Sequence, residues 1–145
     1  MFSSQLNSFI PTKYVYFILI PNQISLKLNF CSRTKLLYEI EKKFKDFMSE
    51  KLKTKKFFEV YLLFNQTIEQ LNSRSLIFSR KDFKFFFDKQ KYFVQLKENI
   101  FSFDSLLRVI ASLVLIENNG IILHSCSVLE DGDKAVLYVG PSGSG

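Results

Sequence analysis

Ala135-Val136-Leu137-Tyr138-Val139 runs without a polar break into Gly140-Pro141-Ser142-Gly143-Ser144-Gly145, and the reading of this junction decides the fold. An uninterrupted apolar run ending at a glycine predicts a strand buried on both faces of a sheet. The closely spaced Gly140, Gly143 and Gly145 predict a turn whose successive N–H groups point inward around an anion, since glycine accepts the necessary backbone angles at no steric cost. These residues match the opening of Gly-x-x-x-x-Gly-Lys-Ser/Thr, where the lysine reaches the outer phosphates of a nucleotide and the hydroxyl residue binds magnesium. A Gly/Ser stretch standing alone also suits a flexible tail. A buried strand feeding it favours the phosphate loop, because the next element is then a helix whose N-terminus faces the phosphate. This reading expects a lysine and a Ser or Thr to follow Gly145. Residues 1–145, a cradle without its charges, are expected to have no measurable ATP affinity.

Working back from the loop, Glu130-Asp131-Gly132-Asp133 separates the apolar runs Ile121 to Leu129 and Ala135 to Val139, and an Asp-Gly turn between two such runs predicts a hairpin. Asp131 and Asp133 are read as turn formers. Upstream, Leu106, Leu107, Val109, Ile110, Leu113, Val114, Leu115 and Ile116 are apolar on nearly every side of a helix opened by Asp104, which predicts burial between layers. Asn118-Asn119-Gly120 supplies its C-cap. His124, the one histidine, is the candidate near-site residue. It suits proton transfer near neutrality, but it alternates with Ile122, Cys126 and Val128 on one strand face, so a hydrogen-bonded core histidine is the preferred reading.

The first hundred residues read as a separate α+β domain. Lys13 to Ile20 is β-branched and aromatic, Ile24 to Phe30 alternates with period two, and Pro21-Asn22-Gln23 between them is turn chemistry, so the pair predicts a hairpin with one wet face. Leu36, Leu37, Ile40, Phe44, Phe47, Met48 and Leu52 form a helical stripe from Thr34, the expected N-cap, to about Lys53,. Phe57 to Phe64, Ser75 to Ser79, Phe83 to Phe87 and Tyr92 to Leu96 read as strands, with a short helix between Thr67 and Leu71,. The expected organisation is an N-terminal α+β domain over 1–100, then the first helix and strands of a P-loop α/β domain over 101–145.

Composition bounds the function classes. The chain has 145 residues, 47% hydrophobic and 23% charged, with seventeen Phe, which is enough core material for a folded protein. No apolar run reaches the ~20 residues of a membrane helix, and no basic segment precedes an apolar one near Met1, so a cytoplasmic location is expected. Cys31 and Cys126 lack CxxC spacing and read as reduced thiols; with a single histidine no metal-ligand set is expected. The net charge of +6 gathers in Lys42 to Lys56. Without a recognition motif this run reads as a solvated helix face rather than a nucleic-acid patch, and the aromatic run Phe83 to Phe87 reads as core rather than a base-stacking platform. An acidic protein partner also fits the charge.

Residues 105–145, SLLRVIASLVLIENNGIILHSCSVLEDGDKAVLYVGPSGSG, resemble the entry to the catalytic domain of the HPr serine kinase/phosphorylase family, whose fold is like that of phosphoenolpyruvate carboxykinase. The family shows a helix, a glycine, a strand like Leu123-His124-Ser125-Cys126-Ser127-Val128, a polar turn, and an apolar strand into the loop. The resemblance implies a parent that binds ATP with Mg2+ and transfers a phosphoryl group to a protein serine or a small molecule, with a homo-oligomer compatible. Gly140, Pro141, Ser142, Gly143, Ser144 and Gly145 then cradle the phosphates, while the family's catalytic positions fall after Gly145. Residues 1 to about 100 do not match the N-terminal domain of HPr kinase, which favours a divergent relative. Two other classes stay open: an ABC-type ATPase, in which the same loop occurs, and a non-catalytic nucleotide-binding or scaffold protein.

Overall fold

The computed structural model describes residues 11–20, 23–52, 54, 56–64, 76–88, 90–121, 126–130, 134–138 and 140. It is a mixed α+β protein with a sheet-dominated core and two helices. The chain divides into two compact units, Met1–Ile110 and Ala111–Gly145.

The first unit is built on a seven-stranded sheet. β1 (Lys13–Ile20) and β2 (Ile24–Phe30) form the predicted antiparallel hairpin, with Val15 opposite Leu28 and Phe17 opposite Leu26. The chain then crosses through α1 (Leu36–Phe44) and the edge strand β3 (Met48–Ser49) to β4 (Lys56–Phe64), which lies parallel to β2. β5 (Leu76–Ser79), β6 (Phe83–Asp88) and β7 (Lys91–Leu96) form an antiparallel meander whose last strand returns parallel to β4. The order across the sheet is β3-β1-β2-β4-β7-β6-β5.

Strand period and register together separate the two faces. On one face the paired rows carry Val15, Phe17, Leu26, Leu28, Phe30, Val60, Leu62, Phe64, Phe83, Phe85, Val94 and Leu96, all buried. Both helices lie on this face. Phe44 of α1 and Phe103 of α2 (Ile100–Glu117) meet edge-to-face at 5.7 Å between ring centroids, each 6.1 Å from Phe17. The opposite face carries Tyr14, Tyr16, Lys27, Glu59, Tyr61 and Lys91, partly open to water, alongside the buried Ser25, Asn29, Leu63, Phe86 and Phe93.

The helix expected from Thr34 to Lys53 stops early. α1 ends at Phe44, a 3-10 turn covers Lys45–Phe47, and Met48 and Ser49 pair with Phe17 and Tyr16 of β1. The ladder groups along the outer side of β1 satisfy the backbone there, and this tertiary pairing overrides the helical period of the side chains. The N-cap falls on Lys35 rather than the expected Thr34 and makes no side-chain cap bond; Thr34, one residue earlier, still accepts at Oγ1 from Leu36 N at 3.0 Å while its hydroxyl donates to Glu98 Oε1 at 2.5 Å. The helix expected at 67–71 lies outside the described residues.

α2 starts before Asp104. Asn99 is its cap, with Oδ1 accepting from Ser102 N at 2.9 Å. The helix is also one-sided. Phe103, Leu106, Ile110 and Val114 are buried, whereas Phe101 and Ile116 are 78% and 66% exposed, so it is not enclosed between layers despite its apolar composition. At its end Asn119 takes the left-handed conformation, φ 58°, and Gly120 N donates to Leu115 O at 2.6 Å. A Cβ on Gly120 would meet Leu115 Cδ2 at 3.0 Å and Leu115 O at 3.3 Å, which explains a glycine at this close approach.

In the second unit, β8 (Cys126–Glu130) and β9 (Lys134–Tyr138) form the predicted hairpin, from Cys126 opposite Tyr138 to Glu130 opposite Lys134. Among the described residues β9 pairs with β8 alone. Leu137 is consequently 52% exposed rather than covered on both faces, because a two-stranded ribbon cannot bury both of its sides.

Candidate functional site

Of the six residues that the sequence marks as a candidate phosphate loop, Gly140 is described. Gly140 follows β9 by one residue beyond Val139, outside the strand and exposed. Pro141, Ser142, Gly143, Ser144 and Gly145 lie outside the described residues, as does His124, two positions before β8 begins. β9, the second strand of this antiparallel pair, ends at Tyr138, two positions before Gly140. In a loop of this type the chemistry is done by backbone N–H groups, which need conformational freedom rather than side chains.

A second polar arrangement, which the sequence reading did not identify, occupies the open sheet face of the first unit. The parallel register sets Lys27 beside Glu59 and Asn29 beside Tyr61. Lys27 Nζ lies 2.7 Å from Glu59 Oε1, and Asn29 Nδ2 donates to the same oxygen at 2.9 Å. Burial pushes the Glu59 carboxyl up, but hydrogen bonds from Lys27 and Asn29 and the charges of Lys27 and Lys91 outweigh it and hold it below the usual carboxylate value,. The hydrogen bond to Glu59 raises the Lys27 ammonium above its usual value, against a lesser opposing effect of burial. Tyr14 and Tyr61 flank this ladder beneath cations, with Lys27 Nζ 5.7 Å and Lys91 Nζ 5.3 Å from the ring centroids,. Alternation in Ile24 to Phe30 marks Lys27 as facing water, but only the β2–β4 register reveals its partner.

Cys31 is a free, half-buried thiol whose Sγ lies 3.7 Å from Asn29 O, and burial pushes it up to about 11. It is a poor nucleophile, since the thiolate is the reactive form. Among the described residues no three His, Cys, Asp or Glu side chains gather as a metal-ligand group, and no helix is long and apolar enough to cross a membrane.

The basic run Lys42 to Lys56 is dispersed by the fold over α1, the 3-10 turn and the connection into β4. Lys42 and Lys45 are exposed, and Lys43 Nζ lies 3.7 Å from Asp104 Oδ1 on α2. Basic side chains converge instead near the β5–β6 turn, where Arg80, Lys81, Lys84 and Lys97 line one cleft. Arg80, Lys81 and Lys84 fall within five residues, whereas Lys97 joins them only through the β6–β7 pairing. No protein-family model, no curated protein and no solved structure matches this chain.

Proposed function

We propose that residues 105–145 open the nucleotide-binding domain of an ATP-dependent phosphotransferase of the HPr serine kinase type, and that Gly140 to Gly145 cradle the nucleotide phosphates once a lysine and a Ser or Thr follow them. The carrying observation is the β8–β9 hairpin running into Gly140. An apolar strand feeding a glycine-rich turn is the arrangement that presents backbone N–H groups to a phosphate. The exposed Leu137 supports the same reading: an apolar side chain left uncovered on β9 fits a strand that further strands of the polypeptide flank. Phosphoryl transfer relies on positioning and charge neutralisation, so in this reading the loop holds the β- and γ-phosphates, the lysine and Mg2+ offset the developing charge, and a downstream carboxylate orients the acceptor hydroxyl.

The test is nucleotide binding by the gene product read past Gly145, followed by phosphotransfer to serine-containing protein and small-molecule acceptors. Mg-ATP binding with transfer of the γ-phosphate supports the proposal. ATP turnover to ADP and free phosphate alone, with a Leu-Ser-Gly-Gly-Gln segment downstream, would point to an ABC-type ATPase and overturn the kinase assignment.

A further inference from the structure

Two connections at one end of the first unit's sheet bring four basic side chains into a single cleft. The β5–β6 turn is closed by Arg80 N donating to Phe83 O at 2.8 Å, and Lys97 N donates to Asp82 O at 3.0 Å, which ties the end of β7 to that turn. The cleft, about 170 Å³, is lined by Arg80, Lys81, Asp82, Lys84, Gln95 and Lys97 above the buried Phe83 and Leu96. Arg80 is oriented from two sides. Its Nε stands 3.3 Å from Asp82 Oδ1, and its guanidinium carbon lies 5.7 Å from the centroid of the Phe83 ring. Asp82 Oδ1 is buried and takes no hydrogen bond, so this contact is a charge pairing rather than an aligned hydrogen bond. Lys81, Lys84 and Lys97 have no carboxylate within ion-pair distance among the described residues, unlike Lys13, Lys27 and Lys43.

Four cations around one carboxylate create a local positive field. The size of the cleft decides what kind of anion answers it. At about 30 Å³ per water the cleft holds roughly five or six waters, well short of the ~300 Å³ at which pockets enclose whole organic ligands. A compact, multiply charged group fits, and phosphate matches a guanidinium fork with flanking ammonium groups.

We propose that this cleft binds a phosphate group, either the free ion or one esterified on a small molecule. Arg80 supplies the bidentate fork, and Lys84 and Lys97 supply point charges. The site is independent of Gly140 to Gly145 and belongs wholly to the first unit.

The test uses residues 1–145 in dilute buffer, following the backbone amides of residues 80–84 and 95–97 by two-dimensional NMR. The probes are inorganic phosphate and glycerol phosphate, with sodium chloride at matched ionic strength as the reference. Saturable shifts at these amides with either phosphate, absent with chloride, are expected, and the tighter of the two probes identifies the source. Lys84→Ala/Lys97→Ala is expected to weaken binding about tenfold, as removal of charge-assisted contacts does. Lys42→Ala/Lys45→Ala removes the same charge elsewhere and should change it less than about twofold. Shifts no larger than those from chloride, or equal losses in the two double variants, would overturn the proposal. Shifts confined to amides of 140–145 would report the glycine-rich loop instead and would also overturn it.

Discussion

Glu59 is kept ionised on a half-covered sheet face by Lys27, Asn29 and Lys91, and its consequences are readable as stability. A carboxyl held below its ordinary value of 4.5 contributes stability above that pH and loses it as pH falls through the folded value,. An ammonium held above 10.5 contributes below that pH and loses it as pH rises through its folded value,. We expect Glu59→Gln to cost about 1 kcal/mol at neutral pH, within the range of partly buried hydrogen-bonded charge pairs. The deficit should stay flat from about pH 6 to 9 and shrink below about pH 4; urea unfolding across that range measures it, and a deficit that persists undiminished at acid pH would rule out the ion pair as its source. Single residues also mark where sequence reading runs out. Lys27 shows its wet orientation in a seven-residue alternation, whereas Glu59, far along the chain, becomes its partner only through a parallel register that no local pattern encodes.

Helix and strand ends carry the next set of consequences. α2 begins at a side-chain cap that composition alone did not single out, Asn99 Oδ1 accepting from Ser102 N. Asn99→Ala should lower stability by about 1 kcal/mol, seen as a drop in Tm, while Asp104→Asn, at the helix start that the sequence suggested but inside the observed helix that begins at Ile100, should cost less. In the β6–β7 hairpin, Asp88 faces Lys91 and Gln90 has φ 64°. Gln90→Gly should therefore stabilise by about 0.5–1 kcal/mol by relieving the left-handed conformation, and a destabilised variant in thermal melts would contradict this. The strands were legible because alternation and β-branched or aromatic content are local signals. The shortened α1 was not, because Met48 and Ser49 answer to an open strand edge rather than to their own period. α2 misled in the other direction: its apolar content suggested enclosure, yet Phe101 and Ile116 stand exposed, since composition without strict periodicity does not fix which side packs.

At the scale of the molecule, the α+β class followed from local signals, but the order β3-β1-β2-β4-β7-β6-β5 did not. β2–β4 and β4–β7 are parallel pairs joined by long connections, and the choice of partner is settled by which apolar faces can be covered together. The proposed phosphate loop rests on a different kind of signal. A phosphate loop is defined by backbone freedom at close glycine spacing, which sequence displays directly, and the hairpin that leads into it was announced by an Asp-Gly turn between apolar runs. The basic cleft stayed hidden because the β6–β7 pairing is needed to bring Lys97 beside Arg80, Lys81 and Lys84. The central claim is that Gly140 to Gly145 fold around nucleotide phosphates. Its most direct test is a Mg-ATP titration of the gene product read past Gly145, compared with its Gly145→Val variant and with residues 1–145 alone. The account predicts micromolar binding by the continued chain, a loss of about 100-fold or more when a side chain blocks the backbone's approach to phosphate, and no measurable binding by residues 1–145. A continued chain that ignores ATP, or a valine variant that binds it undiminished, would contradict the claim.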